Sequence, residues 1–163
     1  MLTKFLLTMQ TKKIMIIGIG NLILKDEGVG IHVVKELQKR QLPPDIDVID
    51  GGNAMMELLS ILQEADNSIV IDSLRAGGKP GTIYRFSPQD LMNATERPLS
   101  LHQVDLLDVL GIAKILDGDA HVVIIGIEPK EISWGMDLTP PVKHKVPSVI
   151  DVVFEEIEKI QNA

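Results

Sequence analysis

The 163-residue chain contains no cysteine. That absence excludes disulfides, thiolate metal sites, iron–sulfur clusters and a cysteine nucleophile. Any metal must be held by His, Asp and Glu, and any hydrolysis must proceed without a thiol. Clusters of Lys and Arg are missing too, and the formal charge is -7. Nucleic acid is therefore excluded as the main partner, since neutralising phosphates needs such clusters. No apolar run approaches the length of a membrane span. The opening MLTKFLLTMQTKK is too short and too interrupted for a signal-peptide core. It reads as a disordered or helical leader over residues 1–13, or as a mis-assigned start, ahead of one domain spanning 14–163. Such a chain is long enough to bury a core without staples, and the cytoplasm is its default compartment. There is no G-x-S-x-G frame for a serine nucleophile, and Ser73, beside Asp72, has no such glycines around it.

What is present is organised around Ile14–Gly30, IMIIGIGNLILKDEGVG. The run Ile14–Ile19 has no polar alternation, which suits a parallel strand covered on both faces. Gly18 and Gly20 permit a tight turn at its carboxyl end, and Asn21 tolerates left-handed conformations. Asp26 and Glu27 follow, where open α/β sheets place their sites. The dinucleotide pattern G-x-G-x-x-G fails here, because its third glycine would be Ile23. Helix entry is delayed to Val29, and two carboxylates would repel a phosphate. A carboxylate-bearing loop that binds a cation, or borders a substrate, fits better.

The remaining chain alternates strands and helices. Val29, Val33, Val34 and Leu37 recur at helical spacing up to Pro43-Pro44. A short strand Ile46–Ile49 closes at Asp50-Gly51-Gly52, and Ala54–Gln63 patterns as a second helix. Ser68–Ile71 is a buried strand ending at Asp72. Thr82–Phe86 alternates, as an edge strand does, and Ser87 caps a short helix. Ser100 and Gln103 stand at capping-box spacing, predicting a helix from Leu101 to about Leu116. The strand Val122–Ile127 and a final helix over about Val142–Ile160 complete the pattern, with Pro147 predicting a kink or a later start. The fold class is α/β, a three-layer α/β/α domain.

Three chemical groups fall at one edge of such a sheet. Glu27 follows the first strand, Asp72 ends the third, and His102 lies in the first turn of the helix after the long loop. Two oxygens and a nitrogen form a partial ligand set for zinc, nickel or another divalent ion, with positions left open for water or substrate. Bland readings stand beside it: a turn cap for Asp72, a solvated Glu27, a surface histidine at position 102. An aspartic dyad requires two carboxylates to meet, for instance Glu27 and Asp72. Of the other histidines, His32 reads as partly exposed on a helix, His121 precedes a strand, and His144 lies between lysines.

Several ordered motifs carry a resemblance. GIGN-x-x-x-x-DEG-x-G (Gly18–Gly30), DGG (Asp50–Gly52) followed by ELL (Glu57–Leu59), VIDSL around Asp72, SLHQ around His102, GIEP (Gly126–Pro129) and LTPPV (Leu138–Val142) resemble the hydrogenase maturation endopeptidases. These enzymes remove a C-terminal extension from the large-subunit precursor of nickel–iron hydrogenases. The resemblance runs from about Ile14 to Ile160. It implies a mixed five-stranded sheet with the fourth strand antiparallel, and Glu27, Asp72 and His102 as the nickel-contacting, catalytic trio. The nickel would be presented by the precursor. Where the family often has threonine after the double glycine, this chain has Asn53. Asn21 and Asp26 are expected to support the turn behind Glu27, and Asp50, Gly51 and Gly52 to line the substrate's approach, although a plain turn explains the glycines equally well. Two other classes stay open: a non-catalytic chaperone for nickel-bearing precursor, and a doubly wound domain for a nucleotide or small ligand.

Overall fold

The computed structural model describes residues 12–52, 55–93, 109–111 and 121–163. The leader up to residue 11, Asn53, and most of the expected helix from Leu101, including His102, lie outside the described residues. In chain order the elements are β1 (Ile14–Ile19), a 3-10 turn (Lys25–Gly28), α1 (Val29–Gln38), β2 (Ile46–Gly52), α2 (Met55–Gln63), β3 (Asn67–Ser73), β4 (Ile83–Phe86), α3 (Pro88–Asn93), β5 (His121–Ile127), α4 (Pro140–Lys143) and α5 (Val146–Gln161). Residues 109–111 are also helical.

The five strands lie in the order β2-β1-β3-β5-β4. β1 pairs in parallel with β2 and β3, β3 pairs in parallel with β5, and β4 runs antiparallel to β5. The mixed sheet with an antiparallel fourth strand is therefore as expected, and alternating β4 does sit at an edge. Unbroken apolar composition has its physical cause in the centre of the sheet. Every residue of β1 and β3 is buried. Ile14, Ile16, Ile69, Ile71, Ile125 and Ile127 face one layer, built from α1 and α5. Met15, Ile17, Ile19, Val70 and Ile124 face the other, where Leu58 and Leu62 of α2 join Val109 and Leu110. Each fully buried aliphatic side chain stabilises this arrangement by roughly 1.5–3 kcal/mol relative to exposure.

The carboxyl ends of two strands differ from the sequence reading. β2 continues through Asp50–Gly52 instead of closing at Ile49, because a register shift between Gly18 and Ile19 lets Ile19 pair with Gly52. β3 extends past Asp72 to Ser73, opposite Ile127. The break or later start expected from Pro147 is present: the final helix is two pieces, and Pro147 stands at the start of α5, where a missing N–H costs nothing. Ser87 caps α3 reciprocally: Asp90 N donates to Ser87 Oγ at 3.0 Å, and Ser87 N donates to Asp90 Oδ2 at 3.0 Å.

Candidate active site at the carboxyl edge of the sheet

Close backbone approach decides where the acidic turn sits. A Cβ on Gly30, the second residue of α1, would stand 2.2 Å from the Ile71 carbonyl oxygen and 2.5 Å from that of Ile19. A Cβ on Gly18 would stand 2.3 Å from the Gly30 carbonyl oxygen. Only glycine at both positions lets the start of α1 rest directly on β1 and β3. The 3-10 turn ahead of it is thereby laid against β3, whose penultimate residue is Asp72. Glu27 and Asp72, from segments far apart in sequence, come to the same edge.

The two neighbouring carboxylates have different surroundings. Asp26 is fully buried. Its Oδ2 accepts from Lys130 N at 2.9 Å, Glu131 N at 3.0 Å and Thr139 Oγ1 at 2.7 Å, and its Oδ1 accepts from Thr139 N at 2.8 Å. The loop after β5 is thus stapled to the acidic turn. Glu27 is half-buried, and its carboxylate accepts no hydrogen bond from a described residue. Asn21 steadies the same turn: its N–H donates to the Glu27 carbonyl oxygen at 3.3 Å, and its Oδ1 accepts from Ile23 N at 3.2 Å.

Asp72 is buried at the end of β3, and its Oδ1 accepts from Ser73 N at 2.8 Å. Asp50 and the two glycines after it form the last rung of β2, beside Gly18–Gly20. Asp50 Oδ1 accepts from Gly52 N at 3.0 Å, and Gly20 N donates to the Gly52 carbonyl oxygen at 3.2 Å. Among the described residues there is no group of three or more His, Asp and Glu side chains placed to hold a metal. The expected nitrogen ligand, His102, lies outside them. His121 begins β5 at the opposite edge of the sheet, and His144 is exposed beyond α4.

A model of the hydrogenase maturation proteases, the HycI family, matches residues 31–156. The chain belongs to that family. It is a peptidase of hydrogenase maturation. It is 35% identical over 150 residues to the hydrogenase expression/formation protein HupD of Bradyrhizobium diazoefficiens, covering 90% of this chain and 78% of that one. To the hydrogenase 2 maturation protease of Escherichia coli it is 27% identical, covering 90% and 92%. In structure it resembles the hydrogenase maturating endopeptidase HybD of E. coli, with a TM-score of 0.82, 28% identity, and 90% and 93% of the two chains covered. The [NiFe] hydrogenase maturation protease HybD of Thermococcus kodakarensis gives 0.74 at 26% identity, covering 91% and 99%.

Two residues of this maturation protease received no role from sequence alone. Glu128, in the quoted GIEP, is buried after β5 and accepts from Ala76 N at 2.7 Å and Tyr84 Oη at 2.9 Å. It fixes the loop after β3. Burial, and then Glu128, raises the Tyr84 hydroxyl above its usual range. The available signal was a carboxylate directly after an unbroken apolar strand, the same signal that marked Asp72. Thr139, in LTPPV, is the other, and nothing local connects it to Asp26, 113 positions away.

Proposed function

We propose that this peptidase removes the C-terminal extension of a hydrogenase large-subunit precursor that already carries nickel. In this reading Glu27, Asp72 and His102 meet the metal borne by the substrate and act on the peptide bond it brings with it. The observation that carries it is the seating of the Glu27 turn on β3 beside Asp72. Adjacent Asp26 is consumed by the loop after β5, whereas Glu27 has no such structural duty. Two carboxylates and an imidazole are hard or borderline donors with no thiolate among them. They suit a metal already held elsewhere better than one extracted from solution.

Hydrolysing an amide requires an attacking water to lose a proton and the departing amine to gain one. A carboxylate at this edge is the group able to take up the first, which makes the chemistry formally aspartic in type. Asp50, Gly51 and Gly52 border the turn and form the wall along which the substrate backbone enters. Asn21 and Asp26 hold the turn from behind. The acidic chain selects a complementary patch on the precursor, and the reaction takes place in the cytoplasm.

The test gives metal-free enzyme either nickel-loaded or nickel-free precursor and follows release of the C-terminal peptide by mass spectrometry. Release is expected only from the nickel-loaded form, and Asp72→Asn or His102→Ala should abolish it more completely than either weakens docking. Efficient release from nickel-free precursor would refute the metal-guided reading. Binding of nickel-loaded precursor with no cut at all would leave a chaperone.

A further inference from the structure

Large apolar side chains that remain exposed lie in one place. Among the described residues these are Ile23, Trp134 and Met136, exposed at 45%, 79% and 64%. They sit on two loops that are joined to each other. Gly135 N donates to the Ile23 carbonyl oxygen at 3.0 Å, and Lys25 N donates to the Gly135 carbonyl oxygen at 2.8 Å, forming a parallel bridge between Leu24 and Gly135. Lys25 Nζ reaches Glu131 Oε1 at 2.6 Å, and Ser133 Oγ donates to the same oxygen at 2.6 Å. Asp26 staples the ends of the second loop at Lys130, Glu131 and Thr139. Lys25 itself holds a left-handed conformation, φ 48°, which is strained for a non-glycine residue and persists because these bonds determine it.

An exposed tryptophan on a loop pinned at both ends and in the middle is a preorganised surface. Its backbone is ordered before any partner arrives, so the entropic cost of binding is reduced. Trp134 is the chain's only tryptophan. Tryptophan and other aromatic anchors supply most of the affinity in protein interfaces, and methionine adapts to uneven partner surfaces.

We infer that Ile23, Trp134 and Met136 form the docking surface for the folded body of the hydrogenase precursor, taking up an apolar patch that neighbours its C-terminal extension. This inference rests on the proposed function and adds the contact that function lacks. Continuity identifies the occupant. Ile23 is four residues from Glu27 on the same loop and turn, and Asp26 N donates to the Glu131 carbonyl oxygen at 3.3 Å. A protein whose terminal segment reaches Glu27 must lie against these two loops. A second copy of this chain seated there would cover the edge that has to admit substrate.

The test uses full-length enzyme with its nickel-loaded precursor. Trp134→Ser/Met136→Ser is compared with wild type for precursor affinity, KM and kcat, and its thermal midpoint is measured to confirm folding. The expected result is an affinity weaker by at least about tenfold and a matching rise in KM, with kcat retained. In enzyme carrying 5-fluorotryptophan, the single 19F resonance should shift when precursor is added. Equal affinity and KM in variant and wild type, with an unmoved resonance, overturn the surface. A wild type that sediments as a dimer, and a variant that is monomeric, would assign the patch to a second copy and overturn it as well. Should wild type neither bind nor cut the precursor, the maturation reading falls and this surface falls with it. Should wild type bind and cut while the variant matches it, the surface alone falls.

Discussion

Replacing Asp26 by Asn would remove a charge and one acceptor while preserving shape. The native carboxylate receives three donors on Oδ2 and one, Thr139 N, on Oδ1. The best asparagine orientation puts its carbonyl oxygen where Oδ2 stood and keeps three of them. Its amide then points N–H groups at the Thr139 N–H, a buried donor left without an acceptor, at about 1–3 kcal/mol. The retained bonds change from charge-assisted to neutral, losing about half their strength. Together the expected loss is about 3 kcal/mol, against a total stability of roughly 5–15 kcal/mol for a domain. Thr139→Val, which removes only the hydroxyl donor, should cost about 1 kcal/mol, and the pair should be non-additive because both act on one network. Urea unfolding gives the totals, and native-state hydrogen exchange should show protection lost first at the Lys130, Glu131 and Thr139 amides. A loss below about 0.5 kcal/mol, or unchanged protection at those three amides, would refute the idea that Asp26 staples the loop.

Gly30→Ala should force α1 off the sheet, because the new methyl would meet the backbone oxygens of Ile71 and Ile19, neither of which can rotate away. A cost of about 3 kcal/mol lowers the midpoint by roughly 6–12 °C in scanning calorimetry, and an unchanged midpoint would show that the helix shifts freely. Arg85→Ala should cost about 1–3 kcal/mol in urea unfolding. Among the described residues, buried Glu156 would lose the Arg85 Nη1 bond at 2.9 Å and keep only exposed Lys159 at 2.8 Å; a change within error would mean that Lys159 suffices. Burial holds the His32 imidazole below its usual range, aided by Lys35 and Lys143 and opposed by a backbone hydrogen bond with Met136 and by Asp137. Its neutral form is therefore favoured in the native state, so stability should be complete above about pH 6.5 and fall as pH drops from there towards the folded pKa, where the unfolded chain takes a proton first. His32→Gln should flatten that window in midpoint-versus-pH measurements, and an identical slope would remove His32 as the cause.

Much of the scaffold was legible because its signals are local. The unbroken run at Ile14–Ile19 marks a central strand, helix entry at Val29 follows from the apolar spacing after it, and Ser87 announces its own helix. Features set by partners far away were not. β2 runs through Gly51 and Gly52 because Gly18–Ile19 offers them a shifted register, and a double glycine read alone looks like an ending. Asp26 was expected to support the acidic turn and does sit behind it, but its partners lie 104 to 113 positions downstream. His32 is half-exposed on its helix, as expected, but its backbone hydrogen bond with Met136, 104 positions downstream, has no local signal.

The carboxyl edge gathers three buried carboxylates, Asp26, Asp72 and Glu128. A buried charge is costly unless it is hydrogen-bonded, and here backbone N–H groups supply bonds to each: Lys130, Glu131 and Thr139 for Asp26, Ser73 for Asp72, Ala76 for Glu128. Neutral donors of this kind stabilise an ionised carboxylate without cancelling its charge, as an arginine or lysine partner would. Backbone donors are therefore part of what lets carboxylates be buried at this edge. A phosphate arriving there would meet the carboxylates of Asp26, Glu27 and Asp72 at the strand ends, which disfavours the doubly wound nucleotide reading. A cation brought in by a protein substrate would meet the opposite field.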